Sequence, residues 1–358
     1  MPNQKISKAK SIKRTKTIVE LIIAAVLILL AVHFIKNALS DSKEVGRTDY
    51  EASNIEVEIP TAETAADPNA IIYSSESVPT KNKFYGDLIL VNNDHQYFQT
   101  GEEDLVNINE LNNEKGYDFC YAIEDDYTII RQAYEPMMKM VSDYYNKYQD
   151  DTLTIYGSFR TTEFQQSLYD EDLAQTGEEE STRVAKAGYS EHETGLAFDF
   201  SETVNYDYNG EGTQAWINQN CYKYGFIERY AADKVALTEI QAEPWHFRYV
   251  GIPHAYYMTK NNLCLEEYTD LIRQSYPYEG EHLQITDENG KEYEVYFYAS
   301  DDAAETTSVP VPSGLDYDIS GNNIDGFVVT VYKNSTGAVQ PATTEAAAVT
   351  TEAETAEE

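Results

Sequence analysis

An α+β fold is predicted for this chain of 358 residues: a small mixed or antiparallel sheet flanked by helices, preceded by a single N-terminal transmembrane helix. Two observations predict it. Stretches that alternate like strands and stretches with helical periodicity intermingle without a regular βαβ rhythm, which argues against a doubly wound parallel sheet. Ahead of them lies an apolar run bordered by basic residues, with only one charge inside it.

That run, Ile18 to Ile35, reads IVELIIAAVLILLAVHFI, and Glu20 is its only charge. As a helix it extends roughly 27 Å, close to the ~30 Å apolar core of a bilayer. Lys5, Lys8, Lys10, Lys13, Arg14 and Lys16 precede it and Lys36 follows. The positive-inside rule then puts a basic segment over 1–17 in the cytoplasm, an anchor over 18–36 in the membrane, and the remainder on the extracytoplasmic side. The competing reading is a cleaved signal peptide. HFIKNALS makes a poor cleavage site, so the uncleaved single-pass anchor is favoured.

Charge divides along the same line. The net charge is −36, yet residues 1–40 carry seven bases and one acid, leaving 19 bases against 61 acids beyond them. An acidic exterior of this kind excludes a nucleic-acid binder working through a basic surface. Cys120, Cys221 and Cys264 are too few for a disulfide framework and lack CxxC spacing. They read as buried small hydrophobes, with a Cys221–Cys264 bridge as the alternative.

Residues 37–83 are rich in Ser, Glu, Thr, Ala and Asp, with Pro60, Pro68 and Pro79, and are expected to be a disordered spacer. Residues 336–358 form a Thr/Ala/Glu low-complexity acidic tail. Between them a catalytic-sized domain over 84–275 and a small β extension over 276–335 are expected. DLILVNN at 87–93 reads as a strand. Thr128 to Tyr148 has apolar residues at helical spacing, with Pro136 expected to kink or divide the helix. A strand follows at 153–158. Thr162 with Gln165 three residues on resembles a capping box for a helix over 162–175. GLAFDF at 195–200 alternates like a strand, and 214–224 reads as a helix stopped by Gly225. PWHFRYVG at 244–251 is a strand and 253–273 is helical. Residues 282–300 form a hairpin turning at Glu288-Asn289-Gly290, and 324–333 is a last strand.

Two segments carry the chemistry. In Ser190-Glu191-His192-Glu193-Thr194-Gly195-Leu196-Ala197-Phe198-Asp199 a carboxylate follows a histidine by seven residues. If 195–200 is a strand, Leu196, Phe198 and Phe200 enter the core while Asp199 faces the other way beside small Ala197. Gly195 allows a sharp turn that returns His192 over Asp199. In Glu243-Pro244-Trp245-His246, His246 and Arg248 share one strand face, and Trp245, Phe247 and Tyr249 the other. Pro244 makes a regular strand doubtful there, so Glu243 is expected to project from a bend, apart from any ligand role. His192, Asp199 and His246 can make a three-ligand zinc site for one ion, with a position left open for water whose pKa falls to roughly 7. Glu243 could then take and return a proton. Read singly, each segment is more simply a surface hydrogen bond, and no HExxH motif supports a helical zinc site.

These residues resemble the VanY-type D-alanyl-D-alanine carboxypeptidases, whose pattern SxHxxGxAxD, then ExxH, matches Ser190–Asp199 and Glu243–His246. Upstream, Gly157-Ser158-Phe159-Arg160-Thr161 with Gln165 also matches, as do Gly225-Phe226 and Arg229-Tyr230. The resemblance covers about 84–260. It implies His192, Asp199 and His246 as zinc ligands, Glu243 as general base and then acid, and Arg160 as partner of the substrate carboxylate or the developing oxyanion. Gln165 and Ser190 would help to bind substrate. Phe159, Thr161, Ala187-Gly188 and Glu193 depart from the usual residues without removing a ligand. The implied protein is a membrane-anchored, extracytoplasmic zinc carboxypeptidase that removes the terminal D-alanine of peptidoglycan stem peptides. The alternatives are an L,D-carboxypeptidase acting on tetrapeptide stems and a non-catalytic cell-wall-binding protein of the same fold.

Overall fold

The computed structural model describes residues 71–334 except residue 205. The expected anchor, its basic flank, most of the spacer and the acidic tail lie outside the described residues. Among those described, no helix is long and apolar enough to cross a membrane.

The strands are β1 (Tyr73–Pro79), β2 (Leu105–Asn107), β3 (Tyr121–Ala122), β4 (Thr128–Ile130), β5 (Leu153–Gly157), β6 (Ala197–Glu202), β7 (Phe226–Tyr230), β8 (Glu243–Tyr249), β9 (Leu283–Thr286), β10 (Glu292–Ala299), β11 (Thr306–Pro312), β12 (Asp316–Gly321) and β13 (Gly326–Tyr332). The helices are α1 (Ile108–Lys115), α2 (Arg131–Tyr148), α3 (Thr162–Thr176), α4 (Ala215–Asn220), α5 (Val235–Thr238), α6 (Ile252–Asn261) and α7 (Leu265–Ser275). The site rests on a sheet of order β3-β5-β6-β8-β7, in which β3 and β5 run parallel and every other pair antiparallel. The class is therefore α+β with a mixed sheet.

One face of this sheet and the apolar stripe of α2 make the main core. Phe198, Phe200, Phe226 and Phe247 meet Tyr134, Met137, Val141 and Tyr144 there. The alternation read in GLAFDF thus holds, with Leu196, Phe198 and Phe200 all inward. Pro136 lies inside α2 without dividing it.

Several expectations need correction. Residues 73–79, placed in the spacer by composition, form β1, which pairs antiparallel with β11 along its full length. The serines of β1 are exposed, Glu76 is half-buried and accepts from Tyr317 Oη, and Val78 is buried against Val309, Val311 and Phe327, so a polar composition conceals an edge strand. Residues 87–93 are not a strand with a ladder. Leu88 and Leu90 enter one core and Ile89 and Val91 another, and the backbone is satisfied by side chains: Arg248 donates to the carbonyls of Asp87 and Ile89, Asn323 donates to that of Leu90, and Ser320 Oγ accepts from the amide of Leu88. The cap of α3 is Thr161, whose Oγ1 accepts from the Phe164 amide at 3.2 Å, not Thr162. The helical stretch after 251 is two helices, α6 and α7, separated by Asn262 in the left-handed region. Cys120, Cys221 and Cys264 are all buried free thiols. Strands β10–β13 and β1 enclose a separate small core of Tyr296, Phe327, Val329 and Val331.

Candidate active site

Three neighbouring pieces of backbone converge on the outer face of the sheet. Asp199 on β6 pairs in register with His246 on β8, and the end of β5, Gly157, pairs with Asp199 from the other side. A short 3-10 turn, Glu191–Thr194, precedes β6 and presents His192. Gly195 lets it return: φ is +72°, and a Cβ there would come within 2.9 Å of Leu105 Cδ2.

His192 Nε2 lies 3.2 Å from Asp199 Oδ2, and His246 Nδ1 lies 3.0 Å from Asp199 Oδ1. The ligand atoms of His192, Asp199 and His246 all fall within 4.8 Å of one another, and the three residues are buried. Two imidazole nitrogens and one carboxylate oxygen are donor types that zinc takes. Asp199 Oδ1 is buried with no aligned hydrogen-bond donor, as expected of an atom whose partner is a cation. His192 Nδ1 faces the carbonyl of Ser158 at 2.8 Å, which directs Nε2 inward.

Glu243 does not stand apart. Strand β8 begins at this residue, and its Oε2 is 3.8 Å from His246 Nδ1. The bend inferred from Pro244 exists as a slip in register: Glu228 pairs with Phe247 but Tyr230 with Glu243, so four steps on β8 oppose two on β7. That irregularity brings Glu243 beside His246. It also leaves Trp245 lining the cleft rather than joining Phe247 in the core.

Arg160 reaches in from the loop after β5. Its Nη2 lies 3.2 Å from Asp199 Oδ2 and its Nη1 donates to Gln165 Oε1 at 3.3 Å. Gln165 is buried on α3, and its Nε2 donates to the carbonyl of Ala185 at 2.7 Å. Ser190 is buried at the edge of the same cleft. Gln99 clips the loop in place by donating to the carbonyls of Arg160 and Glu193. A cavity of about 330 Å³ joins Arg160, Gln165, Ser190, His192, Asp199, Glu243 and His246. Every residue proposed from sequence therefore lines one cleft.

The electrostatics separate the two histidines. Burial, aided by the Arg160 charge, lowers the pKa of His192 to about 4. Burial also disfavours charge on His246, but Asp199, Glu191 and Glu243 outweigh it and raise that pKa to about 9. Burial pushes the Glu243 carboxyl up to about 7. Asp199 is buried as well, yet the adjoining imidazoles hold it well below the usual carboxylate range. Sequence reasoning named Glu191 and Tyr230 within matching motifs but gave neither a role in the site. Glu191 is a fully buried carboxylate next to His192 in the chain, and Tyr230 sets its ring 4.9 Å from that of His246. Glu191 was visible only as a position inside a motif, and nothing in its spacing foretold its partners.

A family profile described as VanY, D-alanyl-D-alanine carboxypeptidase, matches residues 127–252. A D-alanyl-D-alanine carboxypeptidase of Enterococcus faecium is 33% identical over 321 residues, which is 88% of this chain and 96% of that protein. One from Enterococcus faecalis is 40% identical over 124 residues, 32% of this chain and 46% of its own length. Among solved structures, that of the vancomycin-resistance D,D-dipeptidase VanXYg in complex with a D-Ala-D-Ala phosphinate analogue is 29% identical with a TM-score of 0.63, covering 73% of this chain and 99% of that one. The likeness thus reaches well beyond residues 127–252. With fold and sequence in agreement, this chain belongs to the VanY family of D-alanyl-D-alanine carboxypeptidases.

Proposed function

We propose that this chain is a membrane-anchored zinc carboxypeptidase working on the extracytoplasmic side, where it releases the terminal D-alanine from peptidoglycan stem peptides. The observation that carries the chemistry is the convergence of His192, Asp199 and His246 within 4.8 Å, with Glu243 beside them. A zinc ion held there supplies Lewis acidity and lowers the pKa of its water toward 7. Glu243 takes the proton from the attacking water and returns it to the leaving amine, a role suited to a carboxylate 3.8 Å from His246 Nδ1 in the same cleft. Arg160, steadied by Gln165, offers a guanidinium fork to the C-terminal carboxylate of the peptide. Ser190 lines the same wall and offers a hydroxyl. A cleft of about 330 Å³ suits the end of a peptide rather than a folded protein. The substrate reading draws on the relative from Enterococcus faecium and on the D-Ala-D-Ala analogue bound by VanXYg. The location draws on the apolar run at 18–35 and its basic flank.

The test is D-alanine release by the full chain from synthetic pentapeptide and tetrapeptide stems, with and without chelator. The expected outcome is release from pentapeptide alone, abolished by chelation and restored by zinc. Release only from tetrapeptide would make it an L,D-carboxypeptidase. Stoichiometric zinc without turnover would leave a wall-binding protein. Protease treatment of intact cells checks the orientation: residues beyond the anchor are expected to be digested while the basic N-terminal segment survives.

A further inference from the structure

Beneath the proposed ligands lies a buried network of charges that the reaction does not use. The side chains of Glu191, Arg229 and Arg248 are fully buried. Glu191 Oε1 accepts from Arg229 Nε at 2.8 Å and from Arg248 Nη1 at 2.7 Å. Arg229 turns its other two nitrogens to Glu266 on α7, in a bidentate pair at 3.0 and 2.6 Å. Arg248 spends its remaining donors on the backbone of Asp87, Ile89 and Tyr249. The second oxygen of Glu191 is left over. Glu191 Oε2 is buried without a hydrogen-bond partner, and so is His246 Nε2. The two atoms lie 3.5 Å apart.

An orphaned buried carboxylate oxygen and an orphaned buried imidazole nitrogen, facing each other just beyond bonding range, satisfy one another with a shift of a few tenths of an ångström once that nitrogen carries the proton. His246 Nδ1 points the other way, toward Asp199. We propose that Glu191 is a positioning residue for the metal: it accepts the Nε2–H of His246, fixes the tautomer that leaves Nδ1 free as the ligand atom, and is itself immobilised by Arg229 and Arg248. A carboxylate behind a ligating imidazole orients the ring and raises its basicity. Glu266, which holds the far side of Arg229 and makes no contact with Glu191 or His246, lies on α7 outside residues 127–252. The inference rests on the metal reading given under Proposed function and adds to it a residue with no contact to substrate.

The first test uses the unaltered full chain, labelled with ¹⁵N-histidine and loaded with zinc. NMR is expected to show His246 protonated at Nε2 and unprotonated at Nδ1. The opposite tautomer overturns the proposal. The second test measures the zinc dissociation constant by chelator competition. Glu191→Asp keeps a charge between the two guanidiniums but withdraws it from the ring, and is expected to weaken zinc binding by about 10- to 100-fold. Glu266→Gln breaks the outer pair without touching His246, and is expected to lower the thermal midpoint while holding zinc within about threefold of the unaltered chain. Folded Glu191→Asp protein with unchanged zinc affinity overturns the proposal. So does an equal loss of zinc affinity in both variants, which would mean general loosening of the scaffold. A full chain that takes up no zinc defeats the proposed function and this inference together, whereas zinc uptake indifferent to residue 191 defeats the inference alone.

Discussion

Asp199 has no room to move. A Cβ added at Gly157 would come 2.3 Å from its Oδ2, so the absence of a side chain at position 157 is what lets β5 and β6 pair at the site. Gly157→Ala is therefore expected to push the Asp199 carboxylate off its position and weaken zinc binding at least tenfold, measured by chelator competition on folded protein. Glu243 poses a different case, because it is proposed to move protons rather than to bind. Glu243→Gln keeps the shape of the side chain and removes its basicity. It is expected to lower kcat by about 10²- to 10⁴-fold while bound zinc stays stoichiometric. Full activity in that variant would reject the role. His246→Ala should instead lose the metal. The outward face of Asp199 was legible from strand parity, whereas the convergence of His192, Asp199, Glu243 and His246 was expected only from the family resemblance. Trp245 was misplaced because parity assumes a regular ladder, and the register slip at 243–247 breaks it.

Helix α3 matters because it carries Gln165 into the cleft behind Arg160. Its start depends on Thr161, whose hydroxyl satisfies one of the amides left open in the first turn. Thr161→Ala is expected to cost about 1 kcal/mol in urea unfolding, typical of a lost N-cap. The helices after the sheet carry a second dependence, on pH. His254 on α6 is buried, with Nδ1 2.7 Å from Tyr268 Oη and Nε2 2.9 Å from Thr330 Oγ1. Burial lowers its pKa to about 3, whereas the free imidazole titrates near 6.5. Between those values the unfolded chain binds the extra proton. Its contribution to stability is thus complete above pH 6.5 and is lost as pH falls from 6.5 toward 3, by up to about 1.4 kcal/mol per pH unit. Unfolding free energies of the unaltered chain and of His254→Gln, measured from pH 7 to pH 4, should show that slope in the first and less of it in the second. Identical slopes would remove His254 as the cause.

Residues 88–91 tie the catalytic sheet to a core of Val250, Met258, Tyr268 and Val295 by sending alternate side chains into each of the two. Strand β1 then closes the small β unit, although it lies more than two hundred residues from its partner β11 in the chain. Deleting residues 73–79 from the full chain removes that strand and the burial of Val78, worth about 2 kcal/mol on the usual scale for an apolar side chain. The thermal midpoint is expected to fall by about 4–8 °C. Zinc affinity should be unchanged, since no residue of β1 lines the cleft. A shorter chain that melts with the longer one would show that β1 adds nothing to stability.

Composition and periodicity were enough to predict the α+β class and the inward face of β6, whereas the residues that line the cleft came from short motifs read through a family resemblance. Those features are local: they depend on neighbours within about ten positions, and a strand or a capped helix declares itself at that range. The strand at 73–79, the ladder-free run at 87–93 and the carboxylate of Glu191 escaped the same reading. Their environment is supplied by residues far along the chain: Val309 for the first, Arg248 and Asn323 for the second, Arg229 and Glu266 for the third. Burial and charge pairing across such distances are created only when the chain packs, and so it was packing, not sequence pattern, that turned a glutamate beside a histidine into the proposed brace of a metal ligand.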